Sequence, residues 1–222
     1  MSKLYVVPTP IGNLEDITLR ALRILGDVDL ILAEDTRKTV ILLRKHKITK
    51  KTLSHHKFNE HRYVDLLSER ILNGEVMALV SEAGTPGISD PGYLLIRECI
   101  RKQVEVECLP GPAAFIPALV ASGLPCDRFV FEGFLPQKKG RQKRLNELKE
   151  ETRTIILYES PHRIRKCLHQ LIDIFGKNRK ACLARELTKI HEEFTRGTLE
   201  EILLRLGDAD PKGECIILVG GR

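Results

Sequence analysis

No apolar run in this chain approaches the roughly 20 residues that a membrane-spanning helix needs, so a soluble globular protein without a membrane span is expected. Nor is there a basic segment followed by a short apolar stretch at the N-terminus: a strand pattern begins within a few residues, which implies a cytoplasmic location. The six cysteines (Cys99, Cys108, Cys126, Cys167, Cys182 and Cys215) include no C-x-x-C pair. A disulfide framework and a zinc ribbon are thereby excluded, and reduced thiols in apolar patterns are expected. His55, His56 and His61 lack the partner set and spacing of metal ligands, so no metal is expected. The glycine fingerprints of dinucleotide and P-loop enzymes are missing, as is the G-x-S-x-G elbow. Internal repeats and low-complexity tails are missing too.

What is present is a chain of 222 residues, 42 % hydrophobic and 30 % charged, long enough for one large α/β domain or two smaller ones. Three Gly/Pro-rich loops stand directly after apolar runs: Pro8-Thr9-Pro10-Ile11-Gly12-Asn13 after Leu4–Val7, Ser81 to Gly92 after Val76–Val80, and Pro110-Gly111-Pro112-Ala113-Ala114 after Val104–Leu109. Each run reads as a buried strand and each loop opens a helical pattern, which gathers the loops at the carboxyl edge of one parallel sheet. Open α/β sheets bind ligands at that edge. Glycine permits close approach of backbone, whereas proline removes an N–H and leaves carbonyls exposed. Such a rim is poor in phosphate donors and suits a neutral or cationic ligand.

The first half alternates strand and helix. Strands are predicted near residues 3–8 and over Leu30–Ala33, Val76–Val80 and Val104–Leu109. Helices are predicted from an Asp16 N-cap to Leu25, over Thr36–His46 and Tyr63–Leu72, and from Pro91 in a first turn to Lys102. This βαβ order implies a mostly parallel sheet. After the helical stretch Phe115–Ser122 come short β-rich runs at Phe129–Phe134, Thr154–Tyr158, Ala181–Ala184, His191–Thr195 and Cys215–Val219. Helical patterns at Lys143–Glu151, His162–Phe175 and Leu199–Leu206 separate them. The runs at Ala181–Ala184 and His191–Thr195 leave no room for a crossover helix, so they should pair antiparallel. Two domains are expected: an N-terminal α/β domain over 1–112 and a C-terminal mixed α/β domain over 113–222.

Charge is segregated. Of the net +6, the segment Arg37 to Lys57 holds +8, from Arg37, Lys38, Arg44, Lys45, Lys47, Lys50, Lys51 and Lys57 without one Asp or Glu. Lys138 to Arg153 holds +4, which leaves −6 on the other residues. Concentrated Lys/Arg points to a polyanionic partner, because neutralised phosphates release counterions.

The strings VPTPIGNLEDIT, ILAEDTR, SEAGTPGISDPG, LPGPAA, FEGFLP, YESPHRI and ARELTKIHEEF, spread from residue 4 to about 219, closely resemble those of the ribosomal RNA small-subunit methyltransferase I family, within the tetrapyrrole methylase superfamily. The resemblance implies two α/β domains with a ligand cleft between them that holds S-adenosylmethionine. It also implies a homodimer, 16S rRNA or the small ribosomal subunit as partner, and 2′-O-methylation of a cytidine in the decoding region. Corrin and porphyrin methyltransferases usually show G-D-P where this chain has Gly84-Thr85-Pro86. Longer members continue past a glycine pair such as Gly220-Gly221, so RNA contact is expected from the two domains or from a partner.

Carried over on these motifs, Pro10, Gly84, Thr85, Ile88, Ala113 and Ala114 are expected to line the S-adenosylmethionine site, largely through backbone, with Leu157 and Leu187 closing over the adenosine. Glu82 and Asp90 are charged neighbours for the ammonium of the methionine moiety, although Asp90 before Pro91 also fits a helix cap. In-line attack by a ribose 2′-oxygen needs alignment and, as the hydroxyl loses its proton, a base. Candidates are Glu34, Asp35, Glu159, His162 and Glu186, with Asp35 preferred because it ends a strand at the ligand edge beside the basic stretch. Arg37 and Arg163 are candidates for phosphate contacts, and Lys38, Lys45, Lys47, Lys50 and Lys51 for the wider RNA surface. Two alternatives stay open: another methyltransferase of the superfamily, acting on a tetrapyrrole or protein, and a noncatalytic RNA-binding ribosome-assembly protein.

Overall fold

The computed structural model describes residues 2–222, whose contacts divide the chain into two units, Met1–Ala113 and Ala114–Arg222. In the first unit, β1 (Lys3–Val6), β2 (Leu30–Ala33), β3 (Thr52–Ser54), β4 (Val76–Val80) and β5 (Glu105–Cys108) form one sheet. Its order is β3-β2-β4-β1-β5 and every pairing is parallel. The helices are α1 (Leu19–Asp27), α2 (Thr36–Lys45), α3 (Glu60–Leu72) and α4 (Tyr93–Arg101).

Strand alternation assigns the two faces. Ile31, Ala33, Ala78 and Val80 pack with Ala21, Ile24 and Leu25 of α1 and Leu43 of α2. Their neighbours Leu30, Leu32, Met77 and Leu79 pack on the opposite face with Leu67 and Ile71 of α3 and Leu95 and Cys99 of α4. All four residues of β2 are buried because both of its faces are covered. Truncating one of these leucines to alanine removes about 2–5 kcal/mol. Since β1 leads to α1 on one face and the adjacent β4 leads to α4 on the other, the chain leaves these two neighbours in opposite directions. That divergence is the switch point at which open α/β sheets receive ligands.

The second unit contains α5 (Phe115–Ser122), β6 (Phe129–Phe134), α6 (Arg141–Leu148), β7 (Thr154–Glu159), α7 (Ile164–Phe175), β8 (Lys180–Arg185), β9 (Glu193–Thr198), α8 (Leu199–Leu206) and β10 (Cys215–Val219). Its sheet is mixed, with order β6-β7-β10-β8-β9: β6 and β7 are parallel and the other pairs antiparallel. Ile155, Leu157, Leu183 and Ile217 pack against Leu168 and Leu171 of α7 and Leu199 and Ile202 of α8. Helix α8 starts in a reciprocal cap between Thr198 and Glu201.

Several local expectations are corrected. Asp16 does not cap α1: it closes a short 3-10 turn whose cap is Asn13, and Thr18 caps α1 by accepting from the Ala21 amide. Pro91 lies ahead of α4 rather than in its first turn, because Gly92 adopts φ +134° and the helix begins at Tyr93. Strand β3 goes unforeseen, being three residues inside a basic segment, and it forms by pairing along the edge of β2. The second antiparallel strand starts at Glu193, since residues 186–192 are taken up by a turn. His162 lies in a 3-10 turn, Pro161–Arg163, before α7.

Cys99, Cys167, Cys182 and Cys215 are buried, while Cys108 and Cys126 are exposed. Burial pushes the Cys167 thiol up to about 12 and holds it protonated. Among the described residues no helix is long and apolar enough to cross a membrane, and no His/Cys/Asp/Glu group is arranged to hold a metal ion.

Candidate active site

The three loops of the first unit are tied to one another at the carboxyl ends of β1, β4 and β5. Thr9 and Gly84 exchange both backbone hydrogen bonds, each at 2.9 Å, so the loops after β1 and β4 form a one-residue bridge. Thr85 Oγ1 donates to the Pro112 carbonyl at 2.9 Å, linking the loop after β4 to that after β5. Gly111 lies against the Pro8 ring, where a Cβ would come within 2.6 Å of Pro8 Cβ. Within the bridge Ser81 Oγ donates to the carbonyls of Ala83 and Gly84. Gly84 adopts φ +80°, a left-handed conformation that an L side chain resists.

Beneath the rim lies a buried acid absent from the sequence expectations. Glu60, at the start of α3, accepts through Oε1 from the backbone amides of Gly92 (2.9 Å) and Leu94 (3.1 Å), so it satisfies the first donors of α4. It holds the turn that carries Ile88, Ser89 and Asp90. His55 Nε2 stands 3.8 Å from the same oxygen, beyond hydrogen-bond reach, and burial keeps the imidazole below its ordinary value. No motif signalled Glu60, because its partners are about 30 residues away in the chain.

The acids divide into engaged and available ones. Asp35 caps α2: Oδ1 accepts from the Arg37 amide (2.9 Å) and Nε (3.1 Å), and Oδ2 from Arg37 Nη2 (2.7 Å). The Arg37 guanidinium, then the Arg37 amide, hold this carboxyl down at about 2. A carboxylate so stabilised is a weak proton acceptor, which argues against the preferred base. Glu159 is buried, pairing with Arg141 Nη2 and Arg163 Nε at 2.9 Å each. Arg163 is thereby tied to an internal carboxylate. Glu186, at φ +52°, accepts from Lys189 Nζ (2.8 Å) and the Glu214 amide (2.9 Å), and these hold its carboxyl below the usual range. His162 is exposed.

Glu34 and Asp90 are different. Glu34, half-buried just after β2, accepts among the described residues only from the Glu82 amide, at 3.4 Å, and keeps acceptor capacity to spare. Asp90 is pushed up to about 7, first by burial and then by the nearby charges of Glu34 and Glu82. Lys38 pairs with Glu82, and the Arg37 charge, itself tied to Asp35, also reaches that carboxylate. A rim with excess carboxylate suits a cation.

Pro10 and Gly84 are buried in the rim, Thr85 and Ala113 half-buried, and Ile88 exposed. Within the second unit Ala114 is the N-cap of α5, Leu157 is buried on β7, and Leu187 is buried in the turn after β8.

The basic stretch begins at the rim and leaves it. It runs along α2, through a turn at Lys47 (φ +56°), and over edge strand β3. Arg37 and Lys38 pair with acids, whereas Lys45, Lys47, Lys50 and Lys51 have no acidic partner among the described residues. Lys45, Lys47 and Lys51 are exposed and Lys50 is half-buried.

Comparison with known proteins places this arrangement. A solved uroporphyrin-III C-methyltransferase from Thermus thermophilus, complexed with S-adenosylhomocysteine, superposes with a TM-score of 0.68 at 18 % identity over 98 % of this chain and 97 % of that one, which shows the fold. The family model of the tetrapyrrole (corrin/porphyrin) methylases matches residues 3–203, so the fold is of that class. A ribosomal RNA small subunit methyltransferase I from Thermotoga maritima is 46 % identical over 222 residues, all of both chains. Another, from Synechocystis, is 50 % identical over 99 % of this chain and 80 % of its own. The chain belongs to the ribosomal RNA small subunit methyltransferase I family.

Proposed function

We propose that this chain transfers a methyl group from S-adenosylmethionine to the ribose 2′-oxygen of a cytidine in 16S rRNA, in the decoding region of the small ribosomal subunit. One observation carries the reading: α2 leaves an acid-rich, phosphate-averse rim at Glu34-Asp35 and continues as a basic face with unpaired lysines. A cation-accepting site thus adjoins a polyanion-binding one. Helix α2 spans about 15 Å, and β3 extends the face further. A compact small-molecule substrate has no use for a basic surface of that extent.

The donor set fits the cofactor. S-adenosylmethionine carries no phosphate, and when bound it supplies an electrophilic methyl group on a sulfonium. Pro10, Gly84, Thr85, Ile88 and Ala113 would hold it through backbone and small side chains. Asp90, ionised, would face its ammonium group. Lys45, Lys47, Lys50 and Lys51 would hold RNA phosphates and orient the ribose, and orientation of two reactants supplies much of the rate gain. Glu34, with a free lone pair at the strand end, would take the proton from the 2′-hydroxyl.

Mapping 2′-O-methylation in small-subunit rRNA from cells lacking the gene tests the reading. The expected result is loss of one cytidine mark, restored by the intact chain but not by Glu34→Gln. Unchanged rRNA overturns it.

A further inference from the structure

Phe58 is out of place on a solvent-facing surface. Its side chain is 85 % exposed, in the short turn between β3 and α3. The turn is nonetheless well held. The Ser54 carbonyl accepts from Asn59 Nδ2 at 3.0 Å, Asn59 Oδ1 accepts from the His56 amide at 2.7 Å, and the His55 amide donates to the Ala33 carbonyl at 2.8 Å. The ring is therefore presented by an ordered backbone rather than by a loose loop.

Its surroundings are cationic. The Lys57 ammonium lies 4.9 Å from the ring centroid, and the His56 ring meets it edge-on at 6.0 Å. Exposed His61 and Arg62 follow in α3, and Lys47, Lys50 and Lys51 precede in the acid-free stretch. A protein hot spot or a membrane anchor would surround such a ring with further apolar residues, and the flanking positions 54–57 and 59–62 carry none. A flat π-face with positive charge on its flanks matches a nucleobase on a phosphate backbone. Strand β3 pairs in parallel with β2, so Phe58 leaves the same carboxyl edge of the sheet as Glu34.

We propose that Phe58 is a stacking platform for an unpaired base of the RNA substrate, fixing the strand in the register that brings one ribose to the methyl donor. This rests on the RNA-methylation reading and adds a positioning residue to it.

The chain contains no tryptophan, so Phe58→Trp installs a single fluorescent reporter at the platform. Titration of this variant with single-stranded oligocytidylate is expected to quench its indole emission, whereas dextran sulfate, a polyanion without bases, leaves that emission unchanged. Phe58→Ala and Phe58→Leu should bind the oligonucleotide roughly 5- to 150-fold more weakly with an unaltered salt slope, and Phe58→Tyr should restore binding. With small ribosomal subunits as substrate, Phe58→Ala should raise KM by a similar factor and leave the KM for S-adenosylmethionine unchanged. Subunit KM and oligonucleotide affinity that are both unmoved in Phe58→Ala overturn the platform while leaving the methylation reading intact. A parent chain that neither binds RNA nor methylates subunits overturns both. Emission from the Phe58→Trp variant that shifts with protein concentration in the absence of RNA, together with a changed oligomeric state in Phe58→Ala, assigns the ring to a second copy of the chain and also overturns the platform.

Discussion

Thr9 and Gly84, 75 positions apart, donate a backbone hydrogen bond to each other, and through that pair the loops leaving two adjacent parallel strands become one surface. Strands β1 and β4 send their chains to opposite faces of the sheet, which opens a gap between the loops. The bridge spans that gap with main-chain atoms, and Thr9 Oγ1 adds a bond to the Ser81 carbonyl at 3.3 Å. Gly84 serves there because its φ of +80° costs it little.

Gly84→Val should therefore abolish binding of S-adenosylmethionine and S-adenosylhomocysteine in a chain that still folds. The branched side chain meets a disfavoured backbone conformation and occupies the rim. Calorimetric titration with S-adenosylhomocysteine is the measurement, with Gly87→Ala as a control that shares the backbone strain (φ +85°) but whose Cβ meets nothing closer than Ile96 at 3.9 Å. Undiminished affinity in Gly84→Val would move the site elsewhere.

Asp90 makes cofactor binding pH-dependent. Its carboxyl is pushed from 3.8 up to about 7, so the folded chain keeps a proton that the unfolded chain has released across that interval. Its contribution to stability is accordingly greatest at the acid end and fades as the pH rises toward 7. A cationic ligand favours the ionised form, so affinity for S-adenosylmethionine should fall about tenfold per pH unit below 7. Asp90→Asn should flatten this dependence. It should also melt higher than the parent at pH 8 and match it more closely at pH 5.

The engaged and the available acid should respond differently. Glu34→Gln is expected to lower kcat about 10²- to 10⁴-fold with cofactor affinity intact. Asp35→Asn removes half of the bidentate pair with Arg37 and weakens the α2 cap, so it should lower the melting temperature more than kcat. The reverse pattern would restore Asp35 as the base.

Replacing Lys45, Lys47, Lys50 and Lys51 with glutamine should reduce the logarithmic salt slope of RNA binding by about 3, if all four meet phosphates, and leave cofactor affinity unchanged. Among the described residues these lysines have no acidic partners to lose, so the fold should tolerate the change. An unaltered slope with unaltered subunit methylation transfers the RNA surface to the segment around Lys138–Arg153.

Glu60 should matter to stability before chemistry. Glu60→Ala leaves the amides of Gly92 and Leu94 without their acceptor, at a cost of about 3 kcal/mol. Glu60→Gln keeps a carbonyl oxygen in place and should cost less. Chemical denaturation of both variants checks the order, and hydrogen exchange at Gly92 should accelerate only in the alanine variant.

Local pattern in the sequence was enough to determine the parallel first sheet, the mixed second one, and the presence of three turn-forming loops at one sheet edge. A buried strand such as Leu30–Ala33 announces itself by composition, and glycine and proline mark turns wherever they occur. Strand β3 escaped because three residues at a sheet edge have too little periodicity to read; pairing with β2 makes them a strand.

The chemical state of the acids was decided only by tertiary structure. Glu34, Asp35, Glu159 and Glu186 look alike as strand-end or loop carboxylates, but three of them are consumed by arginine, lysine or backbone donors. The motif around Asp90 held no hint that Glu34 and Glu82 crowd it, nor that Glu60 holds its turn from 30 residues upstream. Helix and strand propensity act over a few neighbouring residues, whereas charge and desolvation act through space. Only the folded sheet brings Glu34 and Glu82 close enough to raise the Asp90 carboxyl, and Glu60 close enough to hold its turn.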